Sequence, residues 1–270
     1  MINKFSIVLA SFLITHSAFG QTNQGSEIKA ISVSDAPSGP VGDAIRHGHK
    51  ILTETRAMLP TNVGNGLNCT SCHLNGGTKP HAAPWAGLWG VFPAYSARAA
   101  KVITLADRVN DCFERSMNGK AIPYDSMEMT SILSYMQFIS TGVPTGSNAK
   151  GRGEGKIDQK LIPDAVKGKT VYAEKCAACH GANGLGLKGE PNKYVFPPLW
   201  GDDSFNDGAG MARPYTAASF VIANMPLGLD NSLTQQEALD VSQYFTHQPR
   251  PVHPGKQNDW PQGGRPKDAR

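Results

Sequence analysis

The sequence predicts an all-α protein of two tandem domains, each organised around one copy of the same short motif. Three observations carry that reading. The pattern Cys-x-x-Cys-His occurs twice, at Cys69-Thr70-Ser71-Cys72-His73 and Cys176-Ala177-Ala178-Cys179-His180, with the copies 107 positions apart. Each copy lies between helix signals, and no convincing run alternates apolar and polar residues as a half-buried strand would. Between the copies, residues 145–156 (TGSNAKGRGEGK) are Gly-rich, polar and almost free of apolar side chains, which marks a linker. A length of 270 residues suits two domains of ordinary size, each able to bury its own core.

Taken in order, the elements fit this plan. Lys4 precedes the apolar stretch Phe5 to Ile14, and Ala18-Phe19-Gly20 supplies the small residues of a cleavage site. Residues 1–20 therefore read as a secretory signal removed after Gly20, with Gln21 opening the mature chain. The apolar stretch is about half of the roughly 20 residues that a membrane span needs, and no later segment is long and apolar enough to provide one. The first domain covers 21–144. Within it Val41 to Leu59 forms a helix stopped by Pro60, and Ser126 caps a second helix. There Met129, Ile132, Leu133, Met136 and Ile139 recur at helical spacing, which assigns those methionines to the core. The second domain covers 157–250. Pro163-Asp164 opens a helix running towards Cys176, and Thr234-Gln235-Gln236-Glu237 is a capping box followed by Ala238, Val241 and Phe245 on one face. Leu88-Trp89-Gly90 and Leu199-Trp200-Gly201 extend the repeat beyond the motifs. Residues 251–270, rich in Pro, Gly and charge, form an irregular tail.

Composition narrows the function. The chain has 26 Lys plus Arg against 22 Asp plus Glu, a formal net charge of +4 that falls to +3 when Lys4 leaves with the signal. No Lys/Arg block resembles a nucleic-acid arm, so nucleic acid is excluded as a partner. Four of the five cysteines belong to the repeated motif, and the spacing has a chemical reason. Two thiols three positions apart can each form a thioether to a haem vinyl group, and the adjacent His then lies beneath the iron. Disulfides would not require a His after each pair. The paired cysteines of a four-Cys zinc site normally lie roughly 15–20 residues apart, whereas Cys72 and Cys176 are 104 positions apart. Cys69, Cys72, Cys176 and Cys179 thus attach two covalently bound c-type haems, with His73 and His180 as proximal iron ligands. The haem propionates make the holoprotein less basic than its sequence.

The opposite ligands separate an electron carrier from an enzyme. In the second domain Met225 precedes Pro226, and a residue before Pro is biased out of helix, so the chain breaks there and offers a thioether to iron. Met211 is the competing residue. His/Met ligation gives a relatively high potential, suited to accepting and passing on electrons. The first domain has no Met-Pro. From the residues alone Cys112 and Met117 stand level as its distal ligand, with His81 behind. Charge tilts the balance towards Cys112, because Arg98, Arg108 and Arg115 cluster around it in sequence and guanidinium groups favour a thiolate.

A set of further segments resembles the dihaem thiosulfate dehydrogenases. They are Val63-Gly64-Asn65-Gly66-Leu67-Asn68-Cys69, Tyr95-Ser96-Ala97-Arg98, the run Arg108-Val109-Asn110-Asp111-Cys112-Phe113-Glu114-Arg115-Ser116-Met117-Asn118-Gly119, and Asn224-Met225-Pro226. The resemblance covers nearly the whole mature chain in order, and the Cys112 run is its specific part. It implies two tandem cytochrome c-like domains in a periplasmic enzyme that joins two thiosulfates into tetrathionate, in some members reversibly. It also implies that Cys112 is the distal ligand of the first haem and the reactive sulfur. On the same basis Arg98 and Arg108 hold the anion, Ser116 lines that site, and Met225 ligates the second haem.

The residues make such chemistry intelligible. Coupling two dianions requires cations to offset their repulsion, a sulfur able to form a transient S–S bond, and a sink for two electrons. Electrons would leave through the second domain to an accepting cytochrome or similar redox protein. The alternative is a dihaem carrier without substrate chemistry, which has no use for a thiol among arginines.

Overall fold

The computed structural model describes residues 25–29, 31–189 and 193–270. The export signal expected over residues 1–20 lies outside them. Among the described residues, six helices of more than one turn build the two halves: α1 (Pro40–Thr53), α2 (Leu105–Arg115) and α3 (Met127–Phe138) in the first, α4 (Ala165–Lys175), α5 (Pro214–Asn224) and α6 (Gln235–Thr246) in the second. Among the described residues no helix is long and apolar enough to cross a membrane.

The helix ends follow side-chain chemistry. Ser126 accepts a hydrogen bond from the Met129 N–H, Asp164 accepts from Val166 and Lys167, and Thr234 with Glu237 closes a reciprocal capping box. The same box forms at Thr104 and Asp107 ahead of α2, fixing the start of the helix that carries Cys112. Met129, Ile132, Met136 and Ile139 are buried, as the helical spacing predicts, while Leu133 is half-buried against them; Ala238, Val241 and Phe245 are buried too.

Each half is held by one close helix crossing. Gly48 of α1 sits where a Cβ would lie 2.0 Å from the Ser131 carbonyl oxygen of α3, and Gly168 of α4 where a Cβ would lie 1.9 Å from the Asp240 carbonyl oxygen of α6. Any larger residue at either position forces the helices apart. The two contacts are equivalent, so the duplication reaches well beyond the Cys-x-x-Cys-His motifs.

Three expectations are corrected. The helix expected to run unbroken from Val41 to Leu59 breaks at Glu54, whose backbone is non-helical, and resumes as a single turn from Thr55 to Met58. The break turns Thr55 towards the first motif, where its hydroxyl accepts from the Cys69 N–H at 3.0 Å. The strand-free reading gives way to two very short antiparallel hairpins, β1 (Ala94–Ser96) with β2 (Lys101–Ile103) and β3 (Leu187–Lys188) with β4 (Tyr194–Phe196). Strands of two or three residues are too short to show alternation. Trp89 is not the counterpart of Trp200, because Trp89 is 41% exposed whereas Trp200 is buried. That place is taken by Trp85, which packs over Gly77 as Trp200 packs over Gly184, and both glycines have positive φ and lie four residues after a motif histidine.

The halves meet through buried asparagines. Asn65 donates to the Ser116 carbonyl at 2.8 Å and to the Ser204 carbonyl at 3.1 Å, while its own carbonyl accepts from the Leu67 N–H at 3.1 Å. Asn206 donates to the Glu114 carbonyl at 2.9 Å, and Asn224 to the His81 carbonyl at 2.8 Å. All three are fully or almost fully buried. Asn65→Leu would strand two carbonyls and one N–H away from water, and should lower unfolding stability by about 3 kcal/mol. Denaturant unfolding of the holoprotein checks this, and a change below about 0.5 kcal/mol would remove Asn65 from the seam.

Candidate active site and haem cavities

Cys69, Cys72 and His73 line a cavity in the first half, enclosed by side chains such as Leu105, Val109, Phe113 and Met136. Cys176, Cys179 and His180 line a second cavity, of about 320 Å³, closed by residues of β4, α5 and α6. In both, the proximal histidine is held the same way. His73 Nδ1 lies 2.6 Å from the Ala83 carbonyl oxygen and His180 Nδ1 lies 2.8 Å from the Pro197 carbonyl oxygen. A carbonyl only accepts, so each Nδ1 carries the proton and each Nε2 is left with its lone pair. Burial lowers the His73 pKa to about 4, which keeps that imidazole neutral as metal ligation requires. The Ala83 N–H in turn donates to Gly153 at 2.9 Å, so residues of the expected 145–156 linker brace the carbonyl that orients His73.

The motif thiols are buried too, and burial pushes Cys69 and Cys72 up to about 12 and Cys176 to about 11. Such thiols stay uncharged at neutral pH, and a thioether removes the ionisable proton altogether. The two cavities are contiguous: Leu67, Asn68, Cys72, Met211 and Phe220 line both.

The distal candidates fall out as follows. Cys112 and Met117 both line the first cavity, Met225 lines the second, and Met211 lies on the wall between them. His81 is exposed and lines neither cavity, so it drops out as a ligand. Met225 occupies the break expected of a pre-proline residue: it follows the last residue of α5 in extended conformation, φ −128 and ψ 148.

Outside the first cavity lies an open pocket of about 960 Å³ bounded by both halves and the C-terminal tail. Arg98, Arg108 and Ser116 all line it, and Arg108 and Ser116 also line the first cavity, so these two side chains stand, with Glu154 and Gly210, at the partition between pocket and cavity. Cys112 stands on the inner side. Arg108 Nη1 donates to Cys112 Sγ at 2.9 Å and also faces Asp111 at 3.3 Å. The sulfur is the main influence raising the Arg108 pKa and holding the guanidinium charged.

Arg115, the third arginine of the sequence cluster, does something else. It lies 2.6 Å from Asp111 and pairs through two nitrogens with Asp259 at 2.9 and 2.8 Å, so its charge is neutralised within the protein. Sequence reasoning missed Arg213 and Lys267, which add cationic groups to the pocket from the second half and the tail, and Glu154, which lines both pocket and cavity. Arg213 carries no local signal, being a lone arginine ahead of a proline-opened helix. For the tail, the one clue was a tryptophan, Trp260, among otherwise polar and loop-forming residues.

Residues 59–145 match the family described as SoxA/TsdA, cytochrome c domain, and residues 165–248 match the cytochrome c family. Over 243 residues the chain is 49% identical to the thiosulfate dehydrogenase of Psychrobacter arcticus, an alignment covering 90% of this chain and 74% of that protein. Over 220 residues it is 46% identical to the thiosulfate dehydrogenase of Allochromatium vinosum, covering 80% and 82%. The chain belongs to the thiosulfate dehydrogenase family. A solved structure of thiosulfate dehydrogenase (TsdBA) from Marichromatium purpuratum, in its "as isolated" form, is similar with a TM-score of 0.76 at 38% identity. That match covers 82% of this chain and only 49% of the other, so this chain spans about half its length.

Membership makes the fold two tandem cytochrome c domains and the cofactors two covalently bound c-type haems, in an oxidoreductase of thiosulfate dehydrogenase type. The residues fit those groups: each cavity has a pair of thiols, an imidazole with its Nε2 free, and a largely apolar wall. Denatured holoprotein should therefore carry two haems by intact mass and yield one alkylatable thiol, Cys112, the only cysteine outside the motifs. Two or more free thiols would mean incomplete attachment.

Proposed function

We propose that the protein oxidises thiosulfate to tetrathionate at the Arg98/Arg108 pocket, with Cys112 as the reacting sulfur, in the periplasm. The observation that carries this reading is the 2.9 Å contact between Arg108 and Cys112 Sγ at the partition between a cationic pocket and a haem cavity. An electron carrier needs no such open pocket beside its haem. The four relatives named thiosulfate dehydrogenase, at 40–49% identity, support the same substrate.

The residues divide the work. Arg98 and Arg108 hold the thiosulfate dianion and offset its repulsion from the Cys112 sulfur. Ser116, on the same partition, supplies a hydroxyl to an anionic oxygen. The Cys112 thiolate and the terminal sulfur of thiosulfate form one S–S bond and give up two electrons, leaving a cysteinyl thiosulfonate, Cys–S–S–SO₃⁻. A second thiosulfate then attacks the sulfur next to Cys112; the new S–S bond makes tetrathionate, and the breaking bond returns the thiolate. Run backwards, the same two steps reduce tetrathionate. The haems, when bound, accept one electron each.

Cys112, which lines the first cavity, would also hold the first haem's iron, and Met225, which lines the second, would hold the other. A thiolate ligand would lower the first potential and a Met ligand would raise the second, so electrons would leave through the second half to an accepting cytochrome or similar redox protein. The contiguous cavities suit that transfer.

Cys112→Ala should keep both haems and cut thiosulfate oxidation by roughly a hundredfold or more. Cys112→Met can refill the iron coordination but cannot form the S–S bond, so it should be equally inactive. Near-normal thiosulfate-dependent reduction of an acceptor dye by Cys112→Met would refute the covalent role. An unperturbed first-haem spectrum in Cys112→Ala would move ligation to Met117. Met225→Gly should lower the second haem's potential with the thiosulfate KM little changed. An unchanged second-haem spectrum and potential would transfer the assignment to Met211.

A further inference from the structure

The C-terminal tail has only one short helical turn, Lys256–Asn258, yet it is fastened at three places. Near its start, Asp207 donates its N–H to the Pro251 carbonyl, accepts from the His253 N–H at 2.8 Å and faces the Lys256 ammonium. At its end, the Asp268 carboxylate accepts from the Tyr215 N–H at 3.0 Å, Lys267 lies over the Tyr215 ring, and Arg270 reaches the Thr246 carbonyl. Between these anchors the chain passes over Arg98.

There the contacts concentrate. The Trp260 N–H donates to the Arg98 carbonyl at 2.8 Å, and the Arg98 guanidinium carbon lies 5.0 Å from the centre of the indole ring. Asp259 Oδ2 lies 3.9 Å from Arg98 Nε while the same carboxylate grips Arg115. The Gly208 carbonyl, from the second half, accepts from Arg98 at 2.9 Å and from Arg115 at 3.2 Å. Trp260 adopts φ +56, a left-handed conformation costly for a bulky residue and one that persists only where surrounding contacts hold it. An arginine side chain loses much rotamer freedom when fixed. Here the ring face, the carboxylate and the carbonyl have already fixed it before any anion arrives.

We propose that Trp260 and Asp259 are positioning residues that preorganise Arg98 for the substrate anion, so the tail is a working part of the pocket. The inference rests on the pocket being the thiosulfate site. Asp259 divides its role: it neutralises Arg115 at close range and stands off from Arg98, leaving the Arg98 charge available to the ligand.

Trp260→Leu tests this in the holoenzyme. It keeps bulk and the backbone hydrogen bond but removes the ring face. It should raise the thiosulfate KM about tenfold, with kcat within about twofold and both haem spectra unchanged. Trp260→Phe, which restores a ring face, should recover most of the loss. If Trp260 acts through Arg98, then on an Arg98→Gln background Trp260→Leu should cost nothing further. Additive losses in that cycle, an unchanged KM, or a failure of Trp260→Phe to rescue would each overturn the proposal. Calorimetric binding of thiosulfate to Cys112→Met protein, with and without Trp260→Leu, separates the two readings. Weaker binding in the double variant supports positioning even if the wild type fails to turn thiosulfate over, which would sink only the reaction. Equal binding overturns positioning whatever the wild type does.

Discussion

The site depends on a polar seam that is buried and has little freedom to rearrange. Asn65, Asn206 and Asn224 are sealed between the halves, and each donates an amide N–H to a carbonyl across the boundary. A buried amide without partners costs several times what one satisfied hydrogen bond contributes, so the seam tolerates little sliding. Fixing the halves in this register through the bonds that cross has two consequences. The haem cavities come to share the walls formed by Leu67, Cys72, Met211 and Phe220, and the Gly208 carbonyl is delivered to Arg98 and Arg115. A looser seam would separate the cavities and release the arginines together.

What was legible in the sequence was what local chemistry determines. The thioether motifs, the caps at Ser126, Asp164 and Thr234, and the break at Met225 each depend on residues a few positions apart. What was illegible depends on long-range contact. Trp89 follows its motif in the same local string as Trp200, yet the packing place over Gly77 belongs to Trp85, because that choice is made by volume in three dimensions. The arginine cluster shows the same limit. Arg98, Arg108 and Arg115 are equivalent as text, but Asp259, more than 140 positions further on, decides that Arg115 is internally neutralised. Residues 251–270 read as an irregular tail and are irregular in backbone, but irregular backbone is not loose backbone when carboxylates and carbonyls hold it.

Charge in the pocket is therefore allotted rather than merely accumulated. A pocket proposed to take a dianion needs positive charge that the folded protein must also accommodate, since like charges a few ångströms apart repel by several kcal/mol at an intermediate dielectric. The structure meets this by giving each arginine a different principal contact: the paired Asp259 oxygens for Arg115, a carbonyl and a ring face for Arg98, and the Cys112 sulfur for Arg108, with Asp111 shared between Arg108 and Arg115. A carbonyl and an indole stabilise a guanidinium without cancelling its charge. Arg98 thus stays both fixed and available, whereas a second close carboxylate would have fixed it and switched it off.

The contact between Arg108 and Cys112 carries this logic to the sulfur proposed to react. One guanidinium lines both pocket and cavity, so it can face the incoming anion and the thiolate from one position. In the proposed reaction the two groups that form a bond are both negative, and their approach is its unfavourable part. A cation placed between them lowers that cost most at the point of closest approach, where charge density is highest, so it favours the transition state over the separated ions. That benefit requires the guanidinium to be in place beforehand, since an arginine that had to be recruited would return much of the gain as lost rotamer entropy. Positions one turn apart on α2 satisfy the requirement through helix geometry alone, because Arg108 and Cys112, four residues apart, necessarily share a face.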